Sequence, residues 1–333
     1  MKKLYVGFDT SNYTTSVAAC DESGRIIANV KLPLPVREGQ RGLRQSDAVF
    51  LHVKNMSEIF EPFKKLTEEY DSVIAVGASE KPRDAEDSYM PCFLVGKAQA
   101  TGYAVATDSP AYFFSHQGGH IMAALYSAST EGGADMYKLL SAPFAAFHVS
   151  GGTTEILYVD SRGDNFSITK IGGTTDLNAG QAIDRVGVMM GLKFPCGPEM
   201  ERLAKENALK IPSCKTSVSG LECCLSGLEN LAASHYKKTN NAEATSAYVF
   251  NYVLGTLDKM TENLRDKYPD IPIIYAGGVM SNGIIKSGLS HRKDVYFASP
   301  AFSADNAAGI ALLCRRRHLK NNKKIGEIKW QRS

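Results

Sequence analysis

The chain has 333 residues, 44% of them hydrophobic and 22% charged, enough to bury one large core or two moderate ones, and two lobes are the expected arrangement. Its formal net charge of +3 is too small to mark a nucleic-acid binder by charge alone. Met1 to Asp9 holds two lysines and few apolar residues, far short of a secretory segment or a membrane span, so a cytoplasmic protein with no membrane association is expected. Seven cysteines, an odd number with no C-x-x-C pair, argue against a disulfide framework or a zinc knuckle and read as reduced, mostly packed thiols. Adjacent Cys223 and Cys224 are expected on a buried helix, because a disulfide between neighbours is strained.

In chain order, Phe8 to Asp21 (FDTSNYTTSVAACD) reads as strand, tight turn, strand. Arg37, Arg41 and Arg44 then fall close together in a polar stretch that could meet phosphates or simply be solvated. Asp47 to Tyr70 has the helical spacing of Val49, Val53, Met56, Ile59, Phe60 and Phe63, and Asp71 to Ala78 follows as a buried strand. Ser79 to Tyr89 reads as a loop, Pro91 to Ala104 as a helix, and Ser115 to Ser127 as a helix opened by a serine cap. A second hairpin, Phe147 to Asp160 (FHVSGGTTEILYVD), aligns without gaps on the first and shares its Phe, Ser, Thr, Thr and final Asp. Two such hairpins about half a chain apart suggest a duplicated fold. Helices are expected over Ala179 to Gly191, from Pro198 or Glu199, over Ser246 to Tyr268, from near Asn282, and over Asp305 to Arg317; strands are expected at Ile271 to Ala276 and Val295 to Ala298. The basic run from Arg315 to Lys324 could neutralise phosphates or lie on a solvated helix end. Strands followed by helices, twice over, describe an α/β fold.

Several short motifs could carry chemistry. His116-Gln117-Gly118-Gly119-His120 places two imidazoles four apart, on one helix face and close enough to share a metal ion; such a pair can equally be ordinary surface or core histidine. No glutamate lies inside the motif, so the base of a zincin protease is missing. The intervening glycines would let another backbone or a phosphate approach. Asp305 stands where a helix begins and could be an oxygen ligand or only a cap. His148, Val149, Ser150, Gly151 and Gly152 form a hairpin tip whose amides could cradle an anion, although tight hairpins also use Gly-Gly without a ligand. Gly277-Gly278, between a strand and a helix near Asn282, is a second glycine-lined turn. Asp184 could accept ribose hydroxyls or pair with a neighbouring basic residue.

Taken in order, SHQGGH, HVSGGTTEI, GQAIDRVGVMMGLKFPCGP, SVSGLE, GGVMSN and SADNAAGIA resemble the catalytic subunit family of tRNA threonylcarbamoyladenosine synthase, formerly called glycoprotease, from Ser115 to Leu312. The resemblance implies an actin-like ATPase (ribonuclease H-like) duplicated fold with a central nucleotide cleft. It divides into lobe I, residues 1–125 completed by 300–333, and lobe II, residues 126–299. It implies metal ligands at His116, His120 and Asp305, for one divalent metal that is iron, with zinc or magnesium as alternatives. It implies that His148 to Gly152, Asp184, Gly197 and Asn282 bind threonylcarbamoyl-AMP or an ATP-type nucleotide. The implied reaction transfers threonylcarbamoyl to N6 of adenosine 37 in tRNA, with no covalent protein nucleophile. The implied partners are tRNA and helper subunits on the lobe I face, in a homodimer or heterodimer.

The N-terminal third departs from that pattern. Tyr13 and Thr14 occupy the places of the family's adjacent Asp-Glu pair, and Gly77-Ala78-Ser79-Glu80-Lys81-Pro82 replaces its Gly-Pro-Gly loop. These changes leave open a carbamoyltransferase with a small-molecule acceptor, or a catalytically silent nucleotide-binding regulator. No Ser/His/Asp set supports a protease, and no aspartate beside the second hairpin supports a sugar kinase.

Overall fold

A computed structural model describes residues 2–11, 13–35, 43–303 and 307–330. The elements run β1 (Lys3–Ser11), β2 (Thr14–Asp21), β3 (Ile26–Pro33), α1 (Gln45–Thr67), β4 (Ser72–Lys81), α2 (Phe93–Ala106), β5 (Ala111–Ser115) and α3 (His116–Thr130). There follow α4 (Met136–Ser141), β6 (Phe144–Val149), β7 (Thr154–Asp160), β8 (Ser167–Thr174), α5 (Ala179–Met189), α6 (Gly197–Glu206), β9 (Ser217–Ser219), β10 (Glu222–Cys224) and α7 (Ser226–Thr239). The chain continues through α8 (Ala242–Lys267), β11 (Ile273–Ala276), a 3₁₀ turn (Gly278–Ser281), α9 (Gly283–Leu289), β12 (Val295–Phe297), α10 (Pro300–Ser303) and α11 (Ala308–Trp330). Its contacts separate two units: Met1–Tyr126 with Ser161–Ser167 and Ala304–Ser333, and Ser127–Asp160 with Ile168–Ser303.

The first unit is a five-stranded sheet in the order β3-β2-β1-β4-β5. Strand alternation sends Leu4, Val6 and Phe8 of β1 into one buried cluster with Met56, Ile59 and Phe63 of α1 and Val95, Ala100 and Ala104 of α2. Burying each large apolar side chain stabilises the fold by about 1.5–3 kcal/mol. The other face of β1 meets α11 so closely that a Cβ on Gly7 would stand 2.4 Å from the Ala311 nitrogen. The same crowding recurs one strand over, where Gly77 faces Cys314 and Ile310.

Four side chains of the basic C-terminal run bind carbonyls and one side-chain amide of this same unit. Arg315 donates to the Glu22 carbonyl at 2.7 Å, Arg316 to the carbonyls of Ser161, Gly163 and Asp164, Arg317 to Asn165 Oδ1, and Lys320 to the Gly163 carbonyl. These bonds fasten Ser161–Ser167 to α11, which is why that segment belongs with the first unit. Arg37 and Arg41 lie outside the described residues.

The second unit is a seven-stranded sheet in the order β12-β11-β6-β7-β8-β10-β9. Its core joins Phe147 and Val149 of β6 and Tyr275 of β11 to Ile183 of α5, Met200 of α6, and Val253 and Leu257 of α8. Helix α8 starts earlier than its apolar pattern predicts, because Asn241 Oδ1 accepts the Ala244 amide at 2.6 Å and caps it. Cys223 and Cys224 stand on β10, not on a helix. A hairpin with β9 turns at Gly220 (φ 57°), and strand alternation buries Cys223 and exposes Cys224.

The two similar hairpins pair in the same register under their gapless alignment. Phe8 stands opposite Val17, and Phe147 opposite Ile156. Each first strand also has a parallel neighbour on its other edge, β4 for β1 and β11 for β6. Ser79 to Lys81, expected in a loop, instead extends β4 and pairs with β5. Among the described residues no helix is long and apolar enough to cross a membrane.

Asp176, after β8, accepts from the amides of Leu177, Leu225 and Ser226 and from the Ser226 hydroxyl, joining the end of β8 to the start of α7. Burial alone would raise its pKa, but these hydrogen bonds outweigh it and hold the carboxyl below the ordinary carboxylate range. A depressed pKa gives stability that is complete above the unfolded value near ~3.9 and is lost as pH falls through the folded one. Asp176→Asn is therefore expected to unfold at lower urea than the parent at pH 7, with the gap closing as pH drops below about 4. Gly309 of α11 supplies a second expectation, since a Cβ there would lie 1.8 Å from the Gly119 carbonyl oxygen of α3. Gly309→Ala should cost about 1–3 kcal/mol by overpacking, read as a lower urea midpoint.

Candidate functional site

In the first unit, β5 runs directly into α3, and Ser115 caps the helix by accepting the Gly118 amide at 3.1 Å. One helical turn separates His116 from His120, so their rings stack on one face, 4.4 Å apart and nearly perpendicular. Their Nε2 atoms approach to 2.9 Å. Two nitrogens bound to one tetrahedral zinc or iron at ~2.0–2.1 Å lie ~3.3 Å apart, so small rotations would open this pair to hold an ion. Between them, a Cβ on Gly119 would stand 2.9 Å from Ile310 Cδ1, and the Gly119 carbonyl lies against Gly309 of α11. Asp305 lies outside the described residues, and among those residues no group of three His, Cys, Asp or Glu side chains forms a metal cage.

Behind His116 stands Asp9, at the end of β1 and fully buried. Its Oδ1 accepts the Ser79 hydroxyl and sits 2.9 Å from His116 Nδ1. Oδ2 is buried with no hydrogen-bond partner among the described residues. Nearby, His52 of α1 is 2.8 Å from Thr15 Oγ1 through Nδ1. Burial dominates in lowering the His52 pKa, against the raising influence of the Ser11 backbone and the Asp9 charge, which favours the neutral ring. The first unit thus holds two groups of buried or half-buried polar side chains, Asp9 with Ser79 and His116, and Thr15 with His52 and Asn55.

In the second unit, close packing of glycines gathers the predicted residues. Gly180, at the start of α5, lies against the hairpin tip, where a Cβ would stand 2.7 Å from the Gly151 Cα. Gly277 takes φ 103° to pass the Val149 carbonyl, which a Cβ would approach to 2.3 Å. Glu201 of α6 accepts the Gly283 amide at 3.0 Å and so ties α6 to the start of α9. The tip of the second hairpin therefore has α5 on one side and the Gly277 turn on the other.

Ser150, His148, Val149, Asp184 and Asn282 each have a structural occupation. Ser150 Oγ accepts the amides of Gly152 at 3.2 Å and Thr153 at 3.1 Å, so those two donors are satisfied within the loop. His148 Nδ1 is 3.3 Å from Thr153 Oγ1. Val149 is buried in the core. Asp184 does not pair with Arg185, which instead meets Glu229 at 3.3 Å; its Oδ1 accepts the Cys196 amide at 2.7 Å and fixes the loop before Gly197. Asp184 also borders a pocket of about 580 Å³ with Phe194, Val188, Met189 and Gln181. Nothing lies within 4 Å of a Cβ built on Gly197. Asn282 caps α9, its Oδ1 accepting the amides of Ile284 and Ile285.

Sequence patterns missed Asp9, Ser79, Glu201 and two residues that brace the second tip. These are Asn178, which donates to the Gly152 carbonyl at 3.0 Å, and Thr154, which accepts the Ala179 amide at 2.9 Å. A signal for Asp9 was present: the hairpin alignment sets it on His148, a residue already singled out. At the departures from the family pattern, Tyr13 is exposed beside the first hairpin turn, its carbonyl accepting the Leu34 amide, and Thr14 opens β2. Pro82 accepts the Gln117 amide at 3.0 Å, tying the segment after β4 to the histidine helix.

The profile of the tRNA N6-adenosine threonylcarbamoyltransferase family matches residues 89–312. A tRNA N6-adenosine threonylcarbamoyltransferase of Streptococcus gordonii is 30% identical over 93% of this chain and 91% of its own length. One from Lacticaseibacillus casei is 28% identical over 89% of this chain and 84% of its own. Among solved structures, component A of (R)-2-hydroxyglutaryl-CoA dehydratase from Acidaminococcus fermentans superposes with a TM-score of 0.51 at 13% identity, covering 95% of this chain and 99% of that one. HypF of T. kodakarensis superposes with a TM-score of 0.55 at 11% identity, covering 96% of this chain and 48% of its own. At such low identity these structures speak to fold alone, and the fold is the α/β actin-like ATPase fold.

Proposed function

Because the chain belongs to the tRNA N6-adenosine threonylcarbamoyltransferase family, we propose that it is a cytoplasmic transferase that passes threonylcarbamoyl from threonylcarbamoyl-AMP to N6 of adenosine 37 in tRNA. The observation that carries the reading is the convergence of His116 Nε2 and His120 Nε2 to 2.9 Å, at the place where the family resemblance puts metal ligands. His116 and His120, with Asp305, would hold one divalent ion, and two imidazoles suit iron or zinc better than magnesium. Bound there, the ion supplies a Lewis acid for the carbamoyl carbonyl or the phosphate leaving group.

The second unit would hold the nucleotide. Rotation of Ser150 about χ1 would release the Gly152 and Thr153 amides to an anion, while Thr153 Oγ1, 2.9 Å from Ser150 Oγ, offers the hydroxyl a partner. Asp184, on its pocket, would accept ribose hydroxyls, and the open surface of Gly197 would let the ligand approach the backbone. Asn282 Oδ1 is committed to the α9 cap, so Nδ2 is the group it would offer. These contacts fix the acyl donor in place, and orientation itself lowers the barrier to attack by an amine. Exposed Phe50 and Val53 on α1 and Leu94 on α2 suit the helper subunits expected on this lobe.

A second reading, carbamoyl transfer to a small-molecule acceptor, is favoured by Tyr13 and Thr14, which bring no carboxylate to the first hairpin tip. Labelled threonine supplied with bicarbonate, ATP, an adenylate-forming enzyme, tRNA and helper subunits is expected to enter tRNA. Label that stays out of tRNA while a relative incorporates it would favour the second reading. His116→Ala with His120→Ala should empty the protein of metal by elemental analysis and slow transfer at least about 100-fold, the scale for losing a group that stabilises transition-state charge. Unchanged metal content in that double variant would remove the metal assignment.

A further inference from the structure

We infer that Asp9 is the positioning residue of the metal half-site, setting His116 in the tautomer whose Nε2 lone pair faces His120. The inference rests on the metal reading above. Asp9 Oδ1 accepts from the Ser79 hydroxyl and so stands as an acceptor oxygen. At 2.9 Å from the same oxygen, His116 Nδ1 must therefore carry a proton. A neutral ring protonated at Nδ1 has its lone pair on Nε2, the atom turned toward His120.

Asp9 is well built for this role. It stands on β1, the middle strand of the first unit's sheet, paired with β2 on one edge and β4 on the other, and the side chain is fully buried. Ser79, on β4, and His116, at the start of α3, reach it from separate elements. A carboxylate, an imidazole and an ion in line is the arrangement that orients histidine ligands and raises their basicity. With His116 bare at Nε2, the 2.9 Å contact would be a hydrogen bond donated by His120 Nε2; an ion would take that proton's place, and the proton would pass to His120 Nδ1 through solvent.

Titration of metal-free protein with Co²⁺, followed by its visible absorption, tests the assignment. Asp9→Asn is expected to weaken cobalt binding by about 10–100-fold, the usual effect of removing such an outer partner. Thermal unfolding of the metal-free variant distinguishes this from a fold defect. Long-range ¹H–¹⁵N correlation of the metal-free parent gives a second readout that needs no variant and should show His116 protonated at Nδ1 and bare at Nε2. Equal cobalt affinity in a folded Asp9→Asn, or a proton on His116 Nε2 in the parent, would overturn the inference alone. A parent that binds no cobalt would overturn the metal reading and this inference with it.

Discussion

The first unit is organised around one buried carboxylate oxygen. Asp9 Oδ1 joins the end of β1 to β4 through Ser79 and to α3 through His116. A buried carboxyl without such partners would carry a desolvation cost of several kcal/mol, so the three elements must arrive together for this oxygen to be hydrogen-bonded. That requirement couples folding of the sheet to the setting of the histidine pair. Polar groups placed in this way are costly to bury and specific once satisfied.

Close backbone approach is the second organising constraint, and it explains why glycines recur near both candidate sites. Gly309 meets the Gly119 carbonyl and thereby seats α11 on α3. Gly180 and Gly277 bring α5 and the turn after β11 onto the second hairpin tip. In each case a single methyl group would separate elements whose side chains act together. Of the two glycines of the HQGGH motif, Gly119 packs against α11, where a Cβ would stand 2.9 Å from Ile310 Cδ1.

The duplicated hairpins show how one backbone pattern can carry different chemistry. With identical registers, the second position is Asp9 in the first copy and His148 in the other. One is sealed among β4 and α3 as an acceptor; the other is half-buried and turned to its own loop through Thr153. The difference comes from what packs on each strand, since the pairing itself is the same.

Much was legible in the sequence because it depended on local patterns. Apolar periodicity marked α1 and β4, Ser115 and Asn282 announced helix starts, and the gapless echo of Phe8 to Asp21 in Phe147 to Asp160 announced the two hairpins. Strands β3 and β8 escaped because exposed and partly buried residues mix along them without clean alternation, and β9 and β10 because three residues are too few to show a period. What only the tertiary structure decided was which polar groups meet. The basic tail turned inward to the carbonyls after β7, Asp184 turned to Cys196 rather than to Arg185, and Asp9 came to His116 across 107 residues. Hydrophobic patterns repeat along the chain and can be read from it, whereas a hydrogen bond between distant residues exists only once packing has brought donor and acceptor within about 3 Å.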